Sequence, residues 1–251
     1  MQGDFISIHH RLATQLVSSE DPKGLKVTIL GIAGSPRAGN TEIMVQEALA
    51  GAAEVPGVEP RFFSFHHRRF RPCMGRCWKY CASHGDCCFK DDFQEFFELW
   101  LAADGILFGV PVYHMSVPAQ VKAAIDRLGN VLASYFGDEL PRFSKVCAAL
   151  TQGLDAFGGQ ELTMQYLLGH FVLMNCLAIS GDLLQSYIGA AGVAPGIELD
   201  AIRRNERALA VARNVGQRVA EMSCIVKAGL AALGDELPEK YFFRREMLGR
   251  K

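Results

Sequence analysis

The sequence predicts an α/β protein built on a doubly wound, five-stranded parallel sheet with a cysteine-rich insertion. Three observations lead there. Short β-branched or apolar runs alternate with segments of helical spacing along most of the chain. A small, polar, glycine-containing turn joins the first strand to the first helix. Gly105-Ile106-Leu107-Phe108-Gly109-Val110 has almost no polar content, as a strand covered on both faces requires.

Residues 1–24 read as an N-terminal arm, with helical potential over Phe5–Val17 and a turn-rich linker over 18–24. Lys26–Gly31 has the composition of a strand, and Glu42–Ala53 the spacing and alanine content of a helix. Pro56-Gly57 breaks the chain before a second strand at Arg61–Phe65. The basic, aromatic run His66-His67-Arg68-Arg69-Phe70-Arg71 then opens the insertion, residues 66–90. It reads as a solvated lead-in to the cysteines, with phosphate contact as the alternative. Asp91-Asp92 starts a helix reaching Ala103, its acidic residues at the positive end of the helix dipole. The buried strand Gly105–Val110 is stopped by Pro111-Val112-Tyr113, and Ala119–Leu128 aligns Val121, Ala124, Ile125 and Leu128 on one helical face. Lys145–Leu150 is the fourth strand, Glu161–Met174 a helix, Asn175–Ser180 the fifth strand, and about Asp200–Ala228 the last helix. The sheet domain spans 25–230, and 231–251 is a tail.

The chain has 251 residues, 49% hydrophobic and 21% charged, enough for one compact domain with appendages. A formal net charge of −1 provides no general field for nucleic acid or an anionic membrane. No apolar run reaches the roughly 18–20 residues of a membrane-spanning helix, and the start, with Asp4, His9, His10 and Arg11, lacks an apolar signal core. A cytoplasmic location is expected, with no nucleic-acid or membrane partner. The arm and the Ala- and Val-rich last helix predict a homodimer or homotetramer.

In a doubly wound sheet the ligand sits beyond the carboxyl ends of the strands, where three loops emerge: Gly34–Thr41, Pro111–Val117 and Thr151–Gln160. The first must turn sharply. Gly34 and Gly39 permit the turn, Ser35, Asn40 and Thr41 bring short polar groups, Arg37 brings a positive charge, and the helix start brings unpaired N–H groups, so the loop suits a phosphate. Its glycines do not fit G-x-G-x-x-G, and no Lys-Ser/Thr pair follows as in a P-loop. An ordinary turn with Asn40 or Thr41 as N-cap is the alternative.

Gly-Ser-Pro-Arg-x-Gly-Asn-Thr resembles the flavin phosphate loop of the NADPH-dependent FMN reductase and iron-sulfur flavoprotein family, whose fold is flavodoxin-like. Pro111-Val112-Tyr113-His114-Met115-Ser116-Val117-Pro118, followed by Lys122 and Asp126-Arg127, resembles the same family's ring-lining loop and helix. Thr151-Gln152-Gly153 and Gly158-Gly159-Gln160-Glu161 resemble its third, flavin-closing loop. The resemblance runs from about Lys26 to Gly196. It implies an FMN-dependent oxidoreductase, with NAD(P)H as co-substrate. Ser35, Arg37, Gly39, Asn40 and Thr41 would hold the phosphate, Pro111, Val112, Tyr113, His114 and Met115 would line the ring, and Thr151, Gln152, Gly153, Gly158 and Gly159 would meet its polar edge. Chemically, backbone N–H groups of such glycines can meet negative charge on a reduced ring. No side chain is an obvious acid or base, so the chemistry belongs to the cofactor.

Cys73, Cys77, Cys81, Cys87 and Cys88 are concentrated in the insertion, whereas Cys147, Cys176 and Cys224 are scattered in apolar or helical contexts. Five thiols in so short a stretch of a cytoplasmic-looking chain point to metal, cluster or redox chemistry over structural disulfides. The iron-sulfur flavoproteins carry a compact cysteine motif at this place, ending just before an Asp-Asp pair. By that resemblance Cys73, Cys77, Cys81 and Cys87 would ligate a [4Fe–4S] cluster, with Cys88 the alternative to Cys87. Here three residues separate the first cysteines, where the family motif has two. Tetrahedral zinc and an empty thiol cluster are the other readings. Expected partners are a small-molecule electron donor or acceptor and a redox protein. The competing functions are a dedicated electron-transfer protein without a small substrate and a pathway-specific dehydrogenase.

Overall fold

The computed structural model describes residues 24–196 and 198–249; the predicted N-terminal arm lies outside them. In chain order the elements are β1 (Val27–Ala33), α1 (Asn40–Ala52), β2 (Val58–Ser64), α2 (Trp78–His84), α3 (Phe93–Ala102), β3 (Gly105–Pro111), α4 (Ala119–Phe136), β4 (Val146–Gly153), α5 (Gln160–Leu173), β5 (Leu177–Ala178), β6 (Ala190–Val193) and α6 (Glu206–Leu233). The strands are parallel in the order β2-β1-β3-β4-β5, with β6 also beside β4. The order reverses between β1 and β3, which makes the carboxyl ends of those strands the switch-point crevice.

Alternation along each strand feeds two cores. Leu30, Ile32, Ile106, Phe108 and Val110 pack with α3, α4 and α5 on one face, while Val27, Ile29, Ala33 and Leu107 pack with α1 and α6 on the other. On the second face α1 and α6 approach backbone to backbone. A Cβ on Gly51 would lie 2.0 Å from the Arg213 carbonyl oxygen, and one on Gly216 would lie 1.8 Å from that of Ala48. Only glycine at both positions lets the helices close to this distance.

Several predicted elements change in detail. The fifth strand position holds two short strands. β5 pairs with Val146 and Cys147 at the start of β4, and β6 pairs with Leu150–Gly153 at its end. The polar, glycine-containing stretch between them leaves the sheet and carries the exposed side chains of Leu183, Leu184 and Tyr187. The helix predicted over Ala119–Leu128 continues to Phe136, burying Val131, Leu132 and Tyr135. The last helix begins at Glu206, because the Asn205 side chain accepts from Ala208 N and caps it there; Ala201–Arg204 is a separate 3₁₀ turn.

The valines and alanines of α6 that suggested a subunit surface are spent inside the chain. Val211, Ala212, Val215, Val219 and Ala220 are buried in the core shared with α1. The tail folds back on the cysteine side of the molecule. Tyr135 Oη donates to Met247 O (2.9 Å), Arg245 pairs with Glu98, and the buried Leu248 lies against Gly85. Among the described residues no helix is long and apolar enough to cross a membrane.

Candidate functional site

The three predicted loops emerge at one end of the sheet, and hydrogen bonds tie them together. Gly34 N donates to Gly109 O (2.7 Å), joining the first loop to β3. Gln152 lies at the centre of the assembly: its Nε2 donates to Thr41 Oγ1 (3.3 Å) and its carbonyl accepts from Val112 N (2.9 Å). The second and third loops touch where Met115 covers Gly159; a Cβ there would lie 2.8 Å from Met115 Sδ.

In the first loop Ser35 and Thr41 are buried, and Ser35 Oγ accepts from Arg37 N (3.1 Å), bending the backbone toward α1. The N-cap of α1 is Gly39, at φ 138°, with no side-chain cap. Neither Asn40 nor Thr41 is spent as a cap, so the first turn keeps the uncompensated N–H groups and positive dipole end that favour an anion. Asn40 has another task. Its Nδ2 donates to Glu198 O and its Oδ1 accepts from Ile202 N, both at 2.9 Å, which pins the segment after β6 over the loop. Sequence reasoning missed that segment, because the contact joins residues 158 or more positions apart.

The second loop is a tight reversal in which Tyr113 and Ser116 exchange backbone hydrogen bonds (2.8 and 3.0 Å). His114 (φ 50°) and Met115 (φ 66°) both adopt left-handed backbone, a costly conformation for non-glycine residues that concentrates at functional sites. In the third loop Gln160 acts as an internal brace, donating to Asp155 O (2.7 Å) and accepting from Gly158 N (3.0 Å). The Gly158 N–H is thereby turned toward protein. Thr151 is buried and donates to Gln160 O (3.5 Å), and Gly159 takes a left-handed φ of 98° at the start of α5. A cavity of about 410 Å³ opens among Met115, Phe157, Gly159, Gln160 and Ala191–Val193; Phe157 is fully exposed at its edge. The contribution of β6 to this wall was not visible in the sequence.

The insertion packs against α4. Cys81, on α2, and Cys87 are buried, while Cys73, Cys77 and Cys88 are partly exposed. Burial pushes the Cys81 thiol up to about 12, and the surrounding Cys87, Cys77, Cys73 and Cys88 add to the rise, so the other four lie within electrostatic reach of its sulfur. Cys88 is raised to about 11, chiefly by its hydrogen bond with Cys77. Among the described residues no three His, Cys, Asp or Glu side chains stand in a ready metal-holding arrangement. The donor set nevertheless suits a thiolate-bound group. Arg127 Nε donates to Cys87 Sγ (3.2 Å) and Asn130 Nδ2 to Cys73 Sγ (3.4 Å), the N–H···S contacts that stabilise sulfur carrying negative charge.

Arg127 also holds the insertion in place. Its side chain is 0% exposed, and its Nη1 donates to both carboxylate oxygens of Asp91 (2.7 and 2.8 Å) while Nη2 donates to Phe89 O (2.9 Å). Asp91 in turn accepts from Arg71 N (2.9 Å), so one ion pair fastens both ends of the cysteine stretch. Of the basic run, Arg68 pairs with Asp92 and Glu95, and His66 Nδ1 lies 3.2 Å from Pro36 O, beside the first loop.

The sequence model of the NADPH-dependent FMN reductase family matches residues 27–185. An iron-sulfur flavoprotein of Archaeoglobus fulgidus is 36% identical over 194 residues, covering 77% of this chain and 96% of that protein. One from Methanocaldococcus jannaschii is 35% identical over 202 residues, covering 79% and 98%. Among solved structures, RosB with bound 8-demethyl-8-formylriboflavin-5′-phosphate superposes with a TM-score of 0.55 at 15% identity, covering 88% of this chain and 90% of that one. A flavodoxin, WrbA-like protein from Agrobacterium tumefaciens gives 0.51 at 20% identity, covering 79% and 97%. At these identities the structural likeness speaks for the fold alone.

Proposed function

The chain belongs to the NADPH-dependent FMN reductase family and is an FMN-dependent oxidoreductase, and from that premise we propose that it is an NAD(P)H-linked iron-sulfur flavoprotein passing electrons from a hydride donor to an acceptor. Ser35, Arg37 and Thr41, with the uncapped first turn of α1, hold the FMN phosphate. Gly39 and Asn40 shape that loop. Pro111–Met115 line the ring, and Thr151, Gln152, Gly153, Gly158 and Gly159 form the loop at its polar edge. Cys73, Cys77, Cys81 and Cys87 hold a [4Fe–4S] cluster, with Arg127 and Asn130 donating to two of the sulfurs. When bound, the flavin supplies two-electron hydride chemistry and the cluster supplies one-electron transfer.

The observation that carries this reading is Arg127. It sits on α4, the helix that follows the ring-lining loop, and donates to Cys87, so both centres are built on one rigid element. We place the protein in the cytoplasm, where its eight free cysteines stay reduced. The exposed Phe157, Leu184, Tyr187, Val172 and Leu173 supply apolar surface for a homodimer or homotetramer, and Met74 and Trp78 supply it beside the cysteines for a redox partner.

An anaerobic absorbance spectrum before and after NADH or NADPH, with iron and sulfide analysis, tests the reading. Flavin bands over a broad visible shoulder, bleached by one nucleotide, are expected. Cys→Ser at any of the four positions should lower iron content while FMN stays bound. Flavin bands without iron, or zinc alone, would leave a plain FMN reductase.

A further inference from the structure

The ion pair of Arg127 with Asp91 fastens the two ends of the cysteine stretch and leaves its middle to be held by something else. That middle contains α2, a helix of seven residues whose buried residue is Cys81. A helix so short has little stability of its own and takes its place from what packs on it. The tail provides that packing, and it lies past the stretch that matches the family model.

The tail is tied to the body of the protein at successive points. Arg142 N donates to Lys240 O (2.7 Å), and the Arg142 guanidinium lies 4.7 Å from the centroid of the Tyr241 ring. Phe243 packs edgewise on Phe136 and Phe143, with centroids 6.3 and 5.1 Å away. Arg245 grips both carboxylate oxygens of Glu98 on α3 (2.8 and 2.6 Å), and Tyr135 Oη on α4 donates to Met247 O (2.9 Å). These ties deliver Leu248 to Gly85.

Gly85 closes α2 at φ 62°, with its N–H donating to Cys81 O (2.9 Å). A Cβ there would lie 2.8 Å from Leu248 Cδ2 and 3.1 Å from Tyr135 Cδ2, so the turn between Cys81 and Cys87 is clamped between the tail and α4. Leu248 is 6% exposed and belongs to the same apolar core as Tyr135, Cys81 and Cys87.

We propose that the tail is part of the cysteine site, with Leu248 a positioning residue that presses Gly85 onto Tyr135 and so keeps Cys81 and Cys87 buried and set for a shared bound group. For the identity of that group the proposal rests on the [4Fe–4S] reading; for the protection of the two thiols it does not. The clamp has two consequences. It keeps water and oxidants from two of the four sulfurs. It also surrounds them with apolar side chains, which disfavours the extra negative charge that reduction places on a thiolate-held cluster and lowers its reduction potential.

Alkylation of the full-length, FMN-loaded, metal-free protein by iodoacetamide, read for each cysteine by mass spectrometry, tests the clamp. In the unaltered protein Cys81 and Cys87 should react at least tenfold more slowly than Cys73, Cys77 and Cys88. Leu248→Ala should speed Cys81 and Cys87 at least tenfold and leave the buried Cys147 and Cys176 unchanged, while the volume-conserving Leu248→Met should restore protection. The proposal is overturned if Leu248→Ala changes nothing, or if it speeds all four buried thiols alike, which would be general unfolding. In the protein reconstituted with iron and sulfide, Leu248→Ala should release iron to a ferrous chelator at least tenfold faster with FMN retained, and should raise the cluster's reduction potential. Iron release and potential equal to those of the unaltered protein would overturn the role in the site. An unaltered protein that takes up no iron would refute the cluster reading instead, and the alkylation pattern would still decide whether Leu248 holds the two thiols.

Discussion

Replacing Arg127 with methionine keeps much of the side-chain volume and removes every polar contact of the guanidinium. The Asp91 carboxylate, 9% exposed, would keep only backbone N–H partners at Arg71 (2.9 Å) and Phe93 (3.1 Å). Phe89 O would keep only the Gln94 side chain of its two donors, Cys87 Sγ would lose its N–H, and the Phe93 ring the cation stacked 4.2 Å from its centroid. Deleting one partner of a buried, hydrogen-bonded ion pair costs about 3–5 kcal/mol, because the other charge is stranded. At about 2–4 °C per kcal/mol for a chain of this size, Tm should fall by roughly 6–20 °C. Thermal unfolding followed by circular dichroism on the FMN-loaded protein measures this. A double-mutant cycle with Asp91→Leu separates the pair from its surroundings: removing both charges should cost less than the sum of the single changes by about 1–3 kcal/mol. The loss should be regional, with proteolysis between residues 71 and 89 accelerating before the sheet opens. A single-mutant cost below about 1 kcal/mol, or strict additivity in the cycle, would refute the view that this pair fastens the insertion.

Burial lowers His170 from 6.5 to about 4, so on acidification the unfolded chain takes up its proton first. Stability should therefore drop as pH falls from 6.5 toward 4, by up to roughly 3 kcal/mol, and urea melts of His170→Phe should lack that component. Gly216→Ala should force α1 and α6 apart and destabilise the protein by about 1–3 kcal/mol or more. Gly229→Ala, where a Cβ meets nothing within 4 Å, should be neutral or stabilising by up to about 1 kcal/mol; equal urea midpoints for both variants would deny the close crossing. Arg37→Ala with Thr41→Ala should weaken FMN by about one to two decades, since hydrogen bonds to a charged group contribute roughly 1.5–3 kcal/mol. Fluorescence titration showing unchanged affinity would remove the phosphate assignment.

What could be read from the sequence was what depends on near neighbours. The runs Lys26–Gly31 and Gly105–Val110 declared themselves as strands, the second as a strand covered on both faces, and the structure places them at Val27–Ala33 and Gly105–Pro111, each serving two cores at once. The turn chemistry after Ala33 announced an anion-friendly loop. The split of the fifth strand was not legible, because Leu177-Ala178 and Ala190–Val193 are each too short to show a period, and only β4 brings them into line. The face of α6 was legible as apolar and misread in its destination. A stripe of Val and Ala records that something covers it, and whether that is α1 or another subunit depends on Gly51 and Gly216, whose meaning appears only when the helices meet.

The candidate site divides in the same way. Its loops were found because strand ends and glycines are local signals, but the groups that connect them are not. Gln152 stands in the third loop and acts on the first and second; Asn40 stands in the first and acts on the segment after β6. Arg127 is the clearest instance. The sequence marks it only as part of the Asp126-Arg127 pair of the resemblance, whereas on the helix it lies among the buried Ala123, Ala124 and Leu128, where an isolated arginine would be an error. The error disappears once the insertion folds over it, because the cysteine stretch delivers two backbone carbonyls, a thiol and a carboxylate to the guanidinium. A buried charge on a helix beside a cysteine-rich insertion is thus itself a sequence signal: the insertion must contain its partner. Here the first acid after the last cysteine, Asp91, is that partner.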